Sequence, residues 1–214
     1  MNYTEVGTEP ESKIDIILTA AQKRLGLFGY EKTTMQEIAD DIAMSKAALY
    51  YYFPDKESLF KAVLENEQNE YFRLIDQRLE GLKDAEKMIT NLVDQRQILF
   101  QRFLNLGKFR VADNHKMKPL LKELYKNLRE KEISILTKIF QQGKDDGIFG
   151  FDTAGETAIL FSDMLQGIRI VSMKRLHLTE MSTEETHNMK VAIQSTTKIF
   201  INGLKYNALH NIKK

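Results

Sequence analysis

An all-α fold follows from three features of the sequence. Only 11 Gly and 3 Pro interrupt its 214 residues, about half the usual share of these breakers. Leu, Lys, Glu, Gln and Ile, which favour helix, are abundant. Apolar residues recur three and four apart, and no stretch alternates with the period of two that marks a strand. Together with the capping signals, these patterns predict about nine helices.

Residues 1–11 are polar, carry Gly7 and Pro10, and read as a disordered lead. Ser12 suits an N-cap. Ile14, Ile17, Leu18, Ala21, Leu25 and Phe28 then form a helical stripe that Gly29 closes. Thr34 and Glu37 have the spacing of a capping box, opening a short helix with Ile38, Ala39 and Ile42 inside. Ala43-Met44 connects it to a helix capped by Ser45, which stops at Phe53-Pro54. Asp55 caps a long helix from Lys56 to about Leu82.

Asp84 caps the next, to about Gly107, and residues 108–118 are read as a short helix. Pro119 fits the first turn of a long helix ended by Gly143 and Gly147. Asp152 or Thr153 caps a helix to about His177, and a capping box at Ser182–Glu185 opens the last, to about Asn207. The chain divides into a lead (1–11), a helix-turn-helix unit (12–56) and a helical remainder (57–214).

Composition excludes several classes of function. There is no Cys, hence no disulfide and no thiolate chemistry. No apolar run approaches the ~18 residues of a membrane span, and the acidic first twelve residues do not fit a secretory leader. The expected location is the cytoplasm. The four His are not paired at helical spacing, so no metal site is expected. Gly143–Gly150 lacks the Gly-Lys-Ser/Thr ending of a phosphate loop, and no nucleophile elbow is present. Neither enzyme activity nor a cofactor is expected. Net charge is +1, and residues 1–61 hold seven basic against ten acidic residues. Any nucleic-acid contact must therefore depend on where a few charges sit.

The informative stretch is Thr34 to Phe53. Two short helices joined by a tight turn have the layout of a helix-turn-helix, whose second helix enters the DNA major groove. At about 100° per residue, Leu49, Tyr52 and Phe53 face inward while Ala47, Tyr50 and Tyr51 face out. Tyr hydroxyls can bond phosphate, and small residues let backbone approach base edges. Lys46 stands in the first turn of this helix and Lys56 at the start of the next, where backbone N–H groups favour phosphate. Periodicity alone leaves a packed helical hairpin equally open.

Gly29-Tyr30, Thr33-Thr34, Ile38-Ala39, the run Ser45-Lys46-Ala47-Ala48-Leu49-Tyr50-Tyr51-Tyr52-Phe53 and Lys56-Glu57-Ser58-Leu59 resemble the DNA-binding domain of the TetR family of bacterial transcriptional regulators. The resemblance extends without a gap over residues 12–62. Beyond it, only the helical layout, the Gly143–Gly147 turn and the ending Phe200-Ile201-Asn202-Gly203-Leu204 are similar. The family usually has Gly-Val in the turn, where this chain has Ala43-Met44, and often Gly-Thr or Gly-Ser after the Lys, where it has Ala47-Ala48. Position 48 therefore offers no hydroxyl, and base reading falls on Tyr51, Lys46 and thymine-methyl contacts.

The resemblance implies a homodimer that binds a palindromic double-stranded operator, represses transcription and releases DNA when a small effector binds the C-terminal helices. The DNA-facing set is then Thr34, Ser45, Lys46, Ala47, Ala48, Tyr50, Tyr51 and Lys56. The implied pocket draws on Phe100, Phe103, Phe109, Tyr125 and Met164, with Gln97, Arg110 or His115 as polar groups. The implied dimer bundle uses Gly155, Ala158, Ser162 and Gly167 with Ile193, Thr196, Thr197 and Phe200. Two other readings are a DNA binder of this fold controlled by a protein partner, and a helical enzyme or interaction module without DNA binding.

Overall fold

The computed structural model describes residues 12–106, 117–175 and 182–211. Among these there are eight helices and no strand: α1 (Lys13–Lys32), α2 (Met35–Asp41), α3 (Lys46–Tyr52), α4 (Lys56–Leu79), α5 (Ala85–Leu106), α6 (Met117–Asp145), α7 (Ala154–Arg175) and α8 (Thr183–Asn211). The short helix expected over 108–118 lies outside the described residues up to 116, and Met117 and Lys118 already belong to α6.

The helix starts follow the capping chemistry. Ser12 with Asp15, Thr34 with Glu37, and Asp55 with Ser58 form reciprocal boxes. Ser182 accepts from Glu185 N while Glu185 accepts from Ser182 N. Thr153, rather than Asp152, precedes α7, and its hydroxyl donates to Glu156. Gly29 closes the long apolar stripe as expected: its φ of 78° is non-helical, and beyond this kink a short helical piece continues α1 to Lys32. The Thr33 hydroxyl, donating to Gly29 O at 2.8 Å, secures that kink.

Two apolar cores result. The first gathers Ile17, Leu18, Ala21 and Leu25 of α1, Met35, Ile38 and Ala39 of α2, Leu49 of α3, and Leu59, Phe60, Val63 and Leu64 of α4. The division expected after residue 56 thus falls in the first turn of a helix whose next two turns still pack into this core. The second core joins Tyr71 and Ile75 of α4 to α5, α6, α7 and α8. Phe140 is its centre, with the rings of Phe149, Phe151, Phe161 and Phe200 at 5.8–6.2 Å in edge or tilted contacts. Such pairs each add about 0.5–1.5 kcal/mol beyond their buried area. The Gly143–Gly150 segment seats this ring cluster. Gly150 N donates to Leu204 O at 2.9 Å, and a Cβ at Gly150 would stand 2.4 Å from Ala208 N of α8.

Helices α4 and α6 belong to both cores. On α6, Leu124 is buried in the first and Leu128, Leu136, Ile139 and Phe140 in the second. Gln68 Nε2 of α4 donates to Leu124 O at 3.0 Å, joining the two helices at the crossing. Nearby, Glu67 is buried and accepts from Gln22 of α1, with Arg102 of α5 at 3.4 Å. Burial pushes its carboxyl above the usual range, and Arg102 pulls it back down.

Part of the expected dimer set faces the chain's own core, while Gly155, Ser162, Gly167 and Thr196 are half-buried. Ala158, Ile193 and Thr197 are buried within the chain's own core, and Phe200 packs on Phe140 and Phe161. Ala158 and Ile193 belong to the same buried cluster as Phe140 and Phe161. The apolar residues left outside are Ile159, Leu160, Ile170 and Val171 on α7, and Val191, Ile199, Tyr206 and Leu209 on α8.

Candidate nucleic-acid interface

The turn between α2 and α3 is a helix C-cap of the Schellman type. Ala43 N donates to Asp40 O at 3.2 Å and Met44 N to Ala39 O at 2.9 Å. Its left-handed residue, normally glycine, is Ala43 at φ 51°. Ser45 then caps α3, its hydroxyl accepting from Ala48 N at 3.1 Å. The turn and the start of α3 are thereby set by backbone and cap hydrogen bonds.

Helix α3 is anchored by Leu49, which is fully buried, with Tyr52 and Phe53 half-buried against the same core. The opposite face is open. Tyr51 is 85% exposed and Tyr50 41%. Ala47 and Lys46 are exposed and Ala48 is half-buried. Lys46 Nζ stands 5.8 Å from the Tyr50 ring centroid, and Tyr51 meets Tyr52 edge-on at 5.3 Å. Lys46, Ala47, Tyr50 and Tyr51 thus share one exposed face, with Thr34 exposed at the N-cap of α2.

Lys56 is placed differently from a free surface lysine. Its ammonium donates to Tyr30 O at 2.8 Å and Thr33 O at 3.0 Å, and lies 4.2 Å from the Tyr30 ring centroid. It braces the first turn of α4 against the end of α1. Two of the three ammonium donors are used in this way.

Arg24 of α1 fixes the other side of the unit. It pairs bidentately with Asp41 at 2.6 and 2.7 Å and reaches Glu37 at 3.3 Å. The bonds from Arg24 hold the Asp41 carboxyl below its usual range. For Glu37 the Thr34 hydroxyl and N–H lower it most, with Arg24 adding to them. Both carboxylates are therefore charged at neutral pH, and their contribution to stability is lost as pH falls through these depressed values.

A second feature lies in the other core. Arg96, Gln97 and Arg169 are 6%, 4% and 5% exposed. Arg96 Nε is 3.0 Å from Glu132 Oε1, but its N–H is not aimed there, and that oxygen accepts from the Tyr71 hydroxyl at 2.6 Å. Arg96 Nη1, both amide atoms of Gln97, and Arg169 Nε and Nη2 have no hydrogen-bond partner among the described residues. Burial, followed by repulsion from Arg96, lowers the Arg169 guanidinium to about 10. Burial raises Tyr71 and Tyr125, Glu132 adding to the rise at Tyr71. Of the residues expected to line a pocket, Phe100 has its ring 5.9 Å from the Arg169 guanidinium, and Tyr125 shares the cluster's electrostatic field. Met164 is half-buried on α7. The side chains of Phe103, Phe109, Arg110 and His115 lie outside the described residues. Sequence reasoning missed Arg96 and Arg169. The available signal was a cation on an apolar face: Arg96 between Leu92-Val93 and Leu99-Phe100, and Arg169 within Ile168–Val171.

The strained turn yields a prediction. Replacing Ala43 by Gly relieves a left-handed cost of roughly 1–2 kcal/mol and adds back about 0.5–1 kcal/mol of backbone entropy. A43G is expected to raise stability by about 0.5–1 kcal/mol in denaturant unfolding. A loss of stability would mean that the turn is not under strain.

Comparison with known proteins agrees with this geometry. Residues 17–63 match the family described as bacterial regulatory proteins, tetR family. The crystal structure of a transcriptional regulator from Cytophaga hutchinsonii is 34% identical, with a TM-score of 0.84, covering 90% of this chain and 98% of that one. The HTH-type transcriptional regulator RutR of Escherichia coli is 43% identical over 53 residues, 25% of each chain. The nucleoid occlusion factor SlmA of Mannheimia succiniciproducens is 32% identical over 92 residues, 41% of this chain. The chain thus spans 39% of the length of SlmA and 25% of RutR. With the helix-turn-helix and the helical layout both matched, the chain belongs to the TetR family of DNA-binding transcriptional regulators.

Proposed function

We propose that this regulator is a cytoplasmic repressor that binds a palindromic operator as a homodimer and is released by a small-molecule effector. Residues 12–56 form the DNA-reading unit, and 57–214 the regulatory and dimerising one. The observation that carries the reading is the outward face of α3, where an 85%-exposed Tyr51 stands beside Lys46, Ala47 and Tyr50. Tyr51 reads bases, with thymine-methyl contacts from Ala47 and Ala48. Lys46, Tyr50, Thr34 and Ser45 hold phosphates. Lys56 adds its charge and one remaining donor there, beyond its work as a brace.

Selection of bound DNA from a random pool tests this reading and is expected to return an inverted repeat. On that site Tyr51→Ala is expected to cost about 1–3 kcal/mol and to relax preference at one position in each half-site. Uniform weakening across all sequences would assign Tyr51 to the backbone instead.

Dimerisation is supported by the apolar residues left outside on α7 and α8. Ile159, Leu160, Ile170 and Val171 follow one face of α7, and Val191, Ile199, Tyr206 and Leu209 one face of α8. Neighbouring exposed apolar stripes of this kind mark protein–protein contact. Two recognition helices about 34–36 Å apart would then match successive major grooves. Sedimentation is expected to give twice the 24.8 kDa chain mass. Ile199→Glu is expected to shift the protein to monomer and to abolish high-affinity operator binding. A monomeric variant with undiminished operator affinity contradicts the dimer.

A further inference from the structure

The cluster around Arg169 is out of balance in both charge and hydrogen bonds. Four helices contribute to it: Tyr71 from α4, Arg96 from α5, Tyr125 and Glu132 from α6, and Arg169 from α7. Among the described residues two guanidiniums face one carboxylate, and after burial the influences on Arg169 are Arg96, Glu132, Tyr71 and Tyr125. With both tyrosines neutral, the described residues of the cluster carry a net positive charge in a nearly dry setting. A structural ion pair would aim its N–H groups at the carboxylate. Here Tyr71 takes Glu132 Oε1, while Arg96 Nε and Nη1 and Arg169 Nε and Nη2 are unpartnered. Water can accept from an N–H group but does not neutralise the surplus charge, and an uncompensated buried cation is costly to fold around.

We propose that this cluster is the seat of an organic monoanion, a carboxylate-bearing molecule whose headgroup lies between Arg96 and Arg169 and whose apolar body lies along Phe100. A single negative charge restores neutrality, which a phosphate dianion would overshoot. A planar carboxylate also matches the fork of a guanidinium. The Phe100 ring, stacked by Arg169, supplies an apolar wall beside the charge. This deepens the effector reading and rests on it for the consequence of binding, though not for binding itself. An anion seated there competes with Glu132 for Arg96, and so acts on α4 and α6, the two helices shared with the DNA-reading core.

The test uses the full-length protein with hexanoate and benzoate, each beside its neutral amide, in calorimetric titration and thermal unfolding. At least one carboxylate is expected to raise the Tm by several degrees and to bind about 10-fold or more tightly than its amide. In Arg169→Met that preference is expected to fall to near unity. The unliganded variant is expected to melt no lower than the wild type, because an unpaired buried cation has been removed. Should Arg169→Met fail to fold, Arg169→Lys keeps the charge but not the fork and is expected to lose most of the preference. Equal binding of acids and amides, no binding by any of the four, or an acid preference intact in the folded variants overturns the proposal. Operator affinity measured with saturating carboxylate separates the two claims. Tight acid binding with unchanged operator affinity removes the effector reading and leaves the anion site standing.

Discussion

Everything in this molecule depends on α4 being buried at both ends in different cores. Its first two turns, through Leu59, Phe60, Val63 and Leu64, complete the core under the helix-turn-helix, and Tyr71 and Ile75 lie in the C-terminal core. A 24-residue helix is about 36 Å long, and neither end can tilt without disturbing close-packed side chains. The brace from Lys56 to Tyr30 O and Thr33 O, and the bond from Gln68 to Leu124 O, fix its upper half to α1 and to α6. The reading head is thereby set by the same rod that carries Tyr71 into the buried arginine cluster.

This arrangement explains how a domain of modest charge can present a DNA-binding face. Four acidic residues of the N-terminal unit are engaged within it. Glu37 and Asp41 are held by Arg24, and Asp15 and Asp55 are caps. What faces outward along α3 is Lys46 and two tyrosines. Net charge counts groups regardless of direction, so the net of −3 over residues 1–61 says little about this one face.

Much of the N-terminal unit was legible in the sequence because its determinants are local. Ser12, Thr34, Ser45 and Asp55 cap helices with bonds spanning three residues, and a periodicity of about 3.6 placed Leu49 inside and Tyr51 outside. Gly29 was legible as the break after Phe28, but the short helical piece beyond it, to Lys32, was not. The C-terminal half was harder for a different reason. Ala158, Ile193 and Thr197 are small or branched residues equally suited to a partner's helix or to the chain's own core, and only the packing around Phe140 decides between them. Arg96 and Arg169 were overlooked because each is unremarkable alone. Their meaning arises when α5 and α7, some seventy residues apart, bring them to one carboxylate.

The claim that one rod couples the two ends is tested most directly by a distance within the dimer. The chain has no native Cys, so Leu27→Cys, at an exposed position of α1, accepts a single spin label per protomer away from α3. The label-to-label distance is expected to narrow to one value with operator and to shift by several ångströms when saturating benzoate or hexanoate is added. Identical distance distributions in the free, operator-bound and carboxylate-bound protein would contradict it.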